Sequence, residues 1–118
     1  MGKTYLVNAF SINMLKELPS TVAIDKLDRE EFCLKVELRQ EDGELINAIG
    51  HDSTIFLINK LCSTNFQKNR AEIKMSKWDI ALVIMISERL TEGKVLADKE
   101  MEDMYAKGKI SFYEVILQ

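Results

Sequence analysis

An unbroken apolar run, Ile80-Ala81-Leu82-Val83-Ile84-Met85-Ile86 (IALVIMI), decides the fold of this chain. The run has the length of a β-strand, and no polar residue alternates with its apolar side chains. Such a run is typical of a central strand that is covered on both faces. We therefore predict that the core of the protein is a sheet built around this segment.

Further strand signals lie on both sides of this run. Residues 5–10 are rich in strand-forming side chains, and residues 22–24 form a short extended run after a turn-like segment that contains Pro19. Residues 71–75 alternate with period two, and residues 110–116 close the chain as a strand. These segments predict a sheet of about five strands.

Three helices are predicted between the strands. Asp28 and Glu31 have the spacing of a capping box and begin a short helix, whereas residues 36–44 give conflicting signals and are predicted to form a variable loop. A mostly buried helix is predicted over residues 53–62, starting at about 50–52, and another over 98–107 with Gly108 as its stop. The mixture predicts one α/β domain over residues 1–118, with a mixed sheet covered by helices.

Composition limits the classes of function. A chain of 118 residues with 47% hydrophobic and 30% charged content is one ordinary globular domain. Its net charge of −3 weighs against a broad nucleic-acid face, so an anionic ligand is expected to be compact. No apolar run reaches the roughly 20 residues of a membrane span, and the start does not resemble a signal peptide. We expect an intracellular protein.

The two cysteines, Cys33 and Cys62, lie in apolar helical patterns without the paired spacing of a zinc site or a redox motif. We expect buried free thiols and no disulfide. The sequence also lacks a glycine-rich phosphate loop, a nucleophile elbow and a cluster of metal-binding side chains, so we expect neither a metal nor another cofactor.

The single histidine, His51, lies at the predicted start of a helix, in the stretch Gly50-His51-Asp52-Ser53. A helix N-terminus presents free backbone N–H groups to an anion, and Gly50 permits close approach of the backbone. An imidazole at this position can donate a proton to a leaving alkoxide near neutral pH. From position alone, the commoner alternative is that His51 is a capping or packing residue beside Asp52.

Other polar residues also lie where strands are predicted to end, which is where α/β folds bind ligands. Arg89 could pair with a phosphate and Glu92 could orient or deprotonate a hydroxyl, although a solvated loop with a surface ion pair is the commoner case. Arg70 precedes another predicted strand and raises the same question. Asn8 and Ser11 follow the first strand, where they could contact a phosphate or simply build a turn.

Four separated segments together resemble one known family. They are residues 5–15 (YLVNAFSINML), 48–55 (AIGHDSTI), 67–70 (QKNR) and 86–93 (ISERLTEG). In this order they closely resemble the viral anti-CRISPR ring nucleases found in viruses of thermophilic archaea, and the resemblance covers nearly the whole chain. It implies an enzyme that degrades cyclic tetra-adenylate, the second messenger of type III CRISPR defence, to linear di-adenylates ending in a 2′,3′-cyclic phosphate.

The resemblance also implies roles for individual residues. It implies a homodimer without a metal, in which His51 is the general acid and Arg89 and Glu92 complete the active site. Asn8, Ser11 and Arg70 match positions expected to line the pocket, and residues 87–96 match a segment that closes over the ligand. Glu88 stands where close relatives are expected to have glutamine. The expected location is the host cytoplasm, with neither a membrane nor duplex nucleic acid as partner.

Two other classes of function remain open at the level of sequence. A non-catalytic module that sequesters a cyclic oligonucleotide would use the same pocket, and only turnover separates it from an enzyme. A regulatory dimer that binds DNA or a host protein is the weaker alternative, because the chain is acidic and lacks a basic helix.

Overall fold

The computed structural model describes residues 2–87 and 98–118 and has an α/β fold. In chain order the elements are β1 (Thr4–Val7), β2 (Val22–Leu27), α1 (Arg29–Glu41), β3 (Leu45–Asn47), α2 (Asp52–Cys62), β4 (Ile80–Ile86), α3 (Asp98–Ala106) and β5 (Ile110–Leu117). A short 3₁₀ helix, Ile12–Met14, follows β1. The predicted class, a mixed sheet with helices packed on it, is confirmed.

The strands form one five-stranded sheet in the order β2-β5-β4-β1-β3. β1 is parallel to both of its neighbours, β3 and β4, whereas β5 is antiparallel to β4 and β2. The run that begins at Ile80 is the central strand, and its residues 81–84 are buried. The prediction of a covered central strand is therefore confirmed.

The two faces of the sheet are covered differently. The three helices cover one face with a core that includes Leu6, Phe32, Val36, Ile58, Leu82, Met104 and Phe112. The other face is covered by the 3₁₀ helix and the segment around Met75, with a smaller core that includes Tyr5, Val7, Met14, Ala81, Val83 and Val115. The alternation of side chains along each strand accounts for this division.

The predicted loop over residues 36–44 is wrong for residues 36–41, which are helical, and right only for the turn at residues 42–44. α1 continues to Glu41, because Phe32 and Val36 are four residues apart and form one fully buried helical face. The strand-like alternation that follows is misleading, since Leu38 is 49% exposed. Gly43, with a φ of 72°, then allows the turn into β3. The capping box at the start of the helix is confirmed: Asp28 accepts a hydrogen bond from the Glu31 N–H at 2.8 Å.

The predicted strand over residues 71–75 is also wrong. Only Met75 pairs with another segment, in a single bridge to Leu15. Alternating apolar side chains still lie inward, because Ile73 and Met75 pack on the second face of the sheet. The fifth strand is instead β3, which is only three residues long. A strand of this length gives almost no periodic signal.

The cysteines form a disulfide, so the prediction of free thiols is wrong. Cys33 of α1 and Cys62, the last residue of α2, are bonded to each other. Both cysteines pack against the apolar core between the helices and the sheet, as their apolar patterns indicated. Their separation of 29 residues gave no sign of the pairing, since only the docking of α1 beside α2 brings them together.

Thr4 offers a test of packing in the sheet. Its side chain is 1% exposed, and its hydroxyl oxygen has no hydrogen-bond partner among the residues that the structure describes. Replacing it with valine keeps the shape and removes an unsatisfied polar group, so Thr4→Val is expected to raise the free energy of unfolding by about 1 kcal/mol. Urea denaturation measures the change. Thr4→Ser is the control, because it keeps the hydroxyl, loses a methyl group and should destabilise; destabilisation by valine would contradict the prediction.

Candidate functional site

Four of the predicted site residues, Asn8, Gly50, His51 and Arg70, collect at one edge of the sheet, where the carboxyl ends of three parallel strands lie. β1, β3 and β4 point the same way, so their carboxyl ends meet at this edge. Asn8 follows β1, Gly50 and His51 follow β3 by a few residues, and Ser87 follows β4. A crevice at the carboxyl ends of parallel strands is where open α/β sheets bind ligands. We call this region the carboxyl-edge site.

His51 is the N-cap residue of α2, but its side chain does not cap the helix. Its backbone is extended and its carbonyl accepts the first helical hydrogen bond, from the Ile55 N–H at 3.1 Å. The imidazole makes no capping hydrogen bond and is exposed. His51 therefore occupies the capping position with its backbone alone, and its side chain neither caps the helix nor packs in the core. The side chain is exposed at the start of the helix, where the helix dipole favours an anion.

The segment that carries Arg70 is held beside the start of α2 by two asparagines. The Asn47 amide donates to the Gln67 carbonyl at 2.6 Å, and the Asn69 amide donates to the Asn47 carbonyl at 2.7 Å. The Asn69 N–H also donates to the Ile49 carbonyl at 2.8 Å. These bonds align residues 67–70 with the segment that leads from β3 into the helix. They fix the position of the Arg70 backbone.

Gly50 is needed where Arg70 passes over the chain. A Cβ atom added at Gly50 would lie 2.6 Å from Cγ of Arg70, which is closer than carbon atoms can approach. The absence of a side chain at this position therefore lets the arginine stem lie against the backbone just before His51. This contact places a guanidinium group and an imidazole at the same opening.

The opening is a shallow cavity of about 410 Å³. It is lined by Asn8, Ala48, Gly50, His51, Arg70, Ala71 and Glu72. Its polar groups include one cation, one imidazole, one amide and one carboxylate. Such a set can bind a phosphate and exchange a proton with it.

The structure brings together four of the predicted site residues: Asn8, Gly50, His51 and Arg70. Ser11 does not line the cavity; its carbonyl accepts the Met14 N–H at 3.0 Å and so begins the 3₁₀ helix, which is the turn-building alternative. Arg89, Glu92 and Glu88 lie outside the described residues, as does most of the segment predicted to close over the ligand.

Sequence reasoning missed three residues of this region. Asn47 and Asn69 position its backbone, and Glu72 lines the cavity. The available signal was a pair of asparagines next to predicted strand or loop boundaries, which is where their side chains commonly bond to backbone groups. Nothing in the sequence indicated that the Asn47 side chain bonds to the Gln67 carbonyl, or that the Asn69 side chain bonds to the Asn47 carbonyl.

Two further observations concern all the residues that the structure describes. Within residues 2–87 and 98–118, no helix is long and apolar enough to cross a membrane. In those ranges, no three histidine, cysteine, aspartate or glutamate side chains are grouped as potential ligands of a metal ion.

Comparisons with known proteins identify the family. The family model described as STIV B116-like matches residues 4–113. The solved structure of B116 of Sulfolobus turreted icosahedral virus is 72% identical, with a TM-score of 0.91, and the match covers 97% of this chain and 98% of that one. The ORF116 protein of Acidianus filamentous virus 1 is 41% identical over 93% of this chain and 91% of its own length. YddF of Bacillus subtilis is 27% identical over 89% and 92% of the two chains. The chain belongs to the STIV B116-like family of archaeal viral proteins, to which this bacterial protein is a more distant relative.

Proposed function

We propose that this protein is a metal-independent ring nuclease that opens cyclic tetra-adenylate and thereby inhibits type III CRISPR defence. The observation that supports this most is the carboxyl-edge site, where His51 and Arg70 share one cavity at the start of a helix. An exposed imidazole next to a cation at the positive end of a helix dipole suits cleavage of a phosphodiester without a metal.

The proposed reaction uses a nucleophile from the substrate. A ribose 2′-oxygen forms a bond to the adjacent phosphorus, and the bond from that phosphorus to the 5′-oxygen breaks. His51, in its protonated form, gives its proton to the departing 5′-oxygen, while the proton of the 2′-hydroxyl passes to a base or to water. Cleavage at two opposite positions of the ring yields two linear di-adenylates, each ending in a 2′,3′-cyclic phosphate.

Charge develops on the phosphate oxygens as the 2′-oxygen attacks. In this proposal Arg70, held by its contact with Gly50, and the N–H groups at the start of α2 stabilise that charge. Arg89 adds a second guanidinium, and Glu92 either accepts the proton of the 2′-hydroxyl or orients Arg89. Asn8 lines the cavity and can hydrogen bond to the ligand.

The size of the cavity favours a site that two copies of the chain complete. Pockets for drug-sized ligands have volumes of about 300–1,000 Å³, and a ring of four nucleotides is larger than such a ligand. A cavity of about 410 Å³ therefore holds only part of the ring. In a two-fold dimer, each copy presents the same site to opposite bonds of a ring made of four identical units. We therefore propose a homodimer that acts in the host cytoplasm.

The test is incubation of the purified protein with cyclic tetra-adenylate in excess EDTA, followed by chromatography with mass detection. The expected result is loss of the ring and formation of di-adenylates with a cyclic phosphate. A ring that is bound but not cleaved would indicate a sequestering module instead. No binding of the ring, together with a salt-sensitive shift of duplex DNA, would support the regulatory alternative and contradict this proposal.

A further inference from the structure

A second, larger cavity opens at the opposite edge of the sheet. Its volume is about 850 Å³. It lies where β1 and β4 begin, and it shares no lining residue with the carboxyl-edge site. β1 alone, four residues long, separates the two edges by about 13 Å. We call this second region the amino-edge cavity. Its lining includes Lys3, Tyr5, Lys16, Arg39, Lys74, Lys77, Trp78, Asp79, Ile80 and Ile116.

Trp78 has an unusual position in the wall of this cavity. It is the third residue of a turn closed by a hydrogen bond from the Asp79 N–H to the Ser76 carbonyl at 3.0 Å. Its φ of 74° lies in the left-handed region, where turns normally place glycine. The residue is also 56% exposed, so it is not there to fill the core. Strained positions of this kind concentrate at sites that hold ligands.

The backbone of this turn is held firmly in place. The buried Asp79 carboxylate accepts hydrogen bonds from the N–H groups of Lys3 and Ser76, both at 2.8 Å. The Trp78 N–H donates to the Leu117 carbonyl at 2.6 Å. Gly2 packs so closely against the Trp78 carbonyl that an added Cβ would lie 2.2 Å from its oxygen. The indole ring is therefore presented at the cavity by a rigid support.

The cavity is surrounded by positive charge, although the chain as a whole has a net charge of −3. Four lysines and an arginine line it, against one carboxylate, Asp79, which is engaged by backbone N–H groups. Among the residues that the structure describes, Lys3, Lys16 and Lys77 form no ion pair with a carboxylate. These three lysines therefore have charge available for an anionic ligand, whereas Arg39 is paired with Asp42 and Glu44.

The floor of the cavity is apolar and neutral. Ile80 and Ile116 contribute aliphatic surface, and Tyr5 lies beside them. Burial, and to a smaller extent the negative charge of Asp79, raises the pKa of the Tyr5 hydroxyl above its ordinary value. Tyr5 therefore remains uncharged at neutral pH and adds no negative charge to the site.

We propose that the amino-edge cavity binds a nucleotide, with its base stacked on Trp78 and its phosphate held by the surrounding lysines. An exposed indole stacks with any base, and lysine ammonium groups bind phosphate as point charges. Lys77 already lies over the indole, with its ammonium nitrogen 5.8 Å from the ring centroid, so a phosphate next to the stacked base meets this charge. The inference does not depend on the proposed function, since it uses no residue of the carboxyl-edge site.

The fluorescence of the protein offers a direct test, because Trp78 is the only tryptophan in the chain. The probes are AMP and a five-nucleotide deoxyadenylate. Adenosine and inorganic phosphate are the controls, because each carries only one half of the nucleotide. Saturable quenching by either nucleotide, weakened by salt, is expected. Equal affinity for both probes would indicate a free nucleotide, and tighter binding of the oligonucleotide would indicate a strand. No saturable quenching at low salt, or the same effect from phosphate alone, would overturn the proposal.

Variants separate binding from folding. Trp78→Gly removes the indole ring, so calorimetry should show an affinity for the nucleotide that is lower by about tenfold or more. Because glycine also relieves the left-handed backbone, the melting temperature should stay equal or rise. Replacing either Lys16 or Lys77 singly with glutamine should lower both the affinity and its salt dependence. Lys26→Gln, on β2, removes one positive charge elsewhere and should do neither. His51→Asn should leave the quenching intact even if ring cleavage is lost.

Unchanged nucleotide binding in Trp78→Gly, with a change of oligomeric state on sedimentation, would assign this surface to a contact between copies and overturn the proposal.

Discussion

Replacing His51 with asparagine is expected to lower the rate of cyclic tetra-adenylate cleavage by about 10²-fold or more, which is the usual effect of losing a general acid. The proposed reaction leaves an alkoxide on the 5′-carbon, and this group departs slowly unless a proton reaches it. Asparagine can still donate a hydrogen bond, but it cannot transfer a proton. The expected loss is therefore in turnover, and affinity for the ring should be largely kept. Single-turnover cleavage and calorimetry measure the two quantities.

Asparagine is a sharper substitution here than alanine, because His51 is the N-cap of α2. Asparagine is among the best N-cap residues, so the variant should keep or raise the stability of the helix. If His51 had only a structural role, His51→Asn would be as active as the parent. That outcome would contradict the proposed role. Asparagine can also accept a hydrogen bond from an N–H group in the first turn, so affinity for the ring is measured beside the melting temperature. A loss of cleavage with both quantities unchanged is assigned to the loss of proton transfer.

The matched control is at the other end of the same helix. Ser63, the C-cap of α2, has a left-handed backbone with a φ of 54°. Asparagine tolerates this conformation better than most residues, so Ser63→Asn introduces the same side chain on the same helix without strain. Its cleavage rate should match that of the parent. A similar loss of activity in Ser63→Asn would mean that changes anywhere on the helix disturb the site.

The fold was predictable where the signal is local. The apolar run from Ile80, the capping box from Asp28 and the stop at Gly108 each depend on neighbours a few residues away, and each is confirmed. Residues 36–44 and 71–75 were misjudged because a short alternating pattern fits a helix face, a strand or a coil that lies on a sheet. Which of these forms depends on distant partners, such as Leu15 for Met75.

The site was predictable in part for a related reason. His51 and Gly50 lie at a helix start, which the sequence indicates, and Asn8 lies just after a strand. That these residues meet follows from the parallel pairing of β1 with β3 and β4, which a sequence pattern does not specify. The bonds of Asn47 and Asn69 have the same origin, since they join segments about 20 residues apart that only the folded sheet brings together.

The disulfide between Cys33 and Cys62 gives the largest expected effect on stability. Replacing both cysteines with alanine should lower the free energy of unfolding by about 3–4 kcal/mol, because a cross-link over a separation of 29 residues restricts the unfolded chain by about that amount. Guanidinium denaturation of the oxidised parent and the double variant measures the difference. The melting temperature should fall with it.

Reduction of the parent protein is the matched measurement, since it breaks the same bond and keeps both side chains. The reduced parent should unfold close to the double variant, and the double variant should not respond to reductant. A parent protein whose unfolding midpoint is unchanged by reductant would show that the bond is not formed in solution.

The bond also bears on the carboxyl-edge site, because it anchors the far end of the helix that begins at His51. Cys62 ends α2, and Cys33 fixes it to α1. Below the unfolding temperature, the start of the helix is still held by the sheet and by the packing of Ile55 and Ile58. We therefore expect the reduced protein to cleave the ring at the rate of the oxidised one at low temperature and to lose activity earlier on heating. Equal loss of activity at every temperature would instead make the bond a requirement for positioning His51.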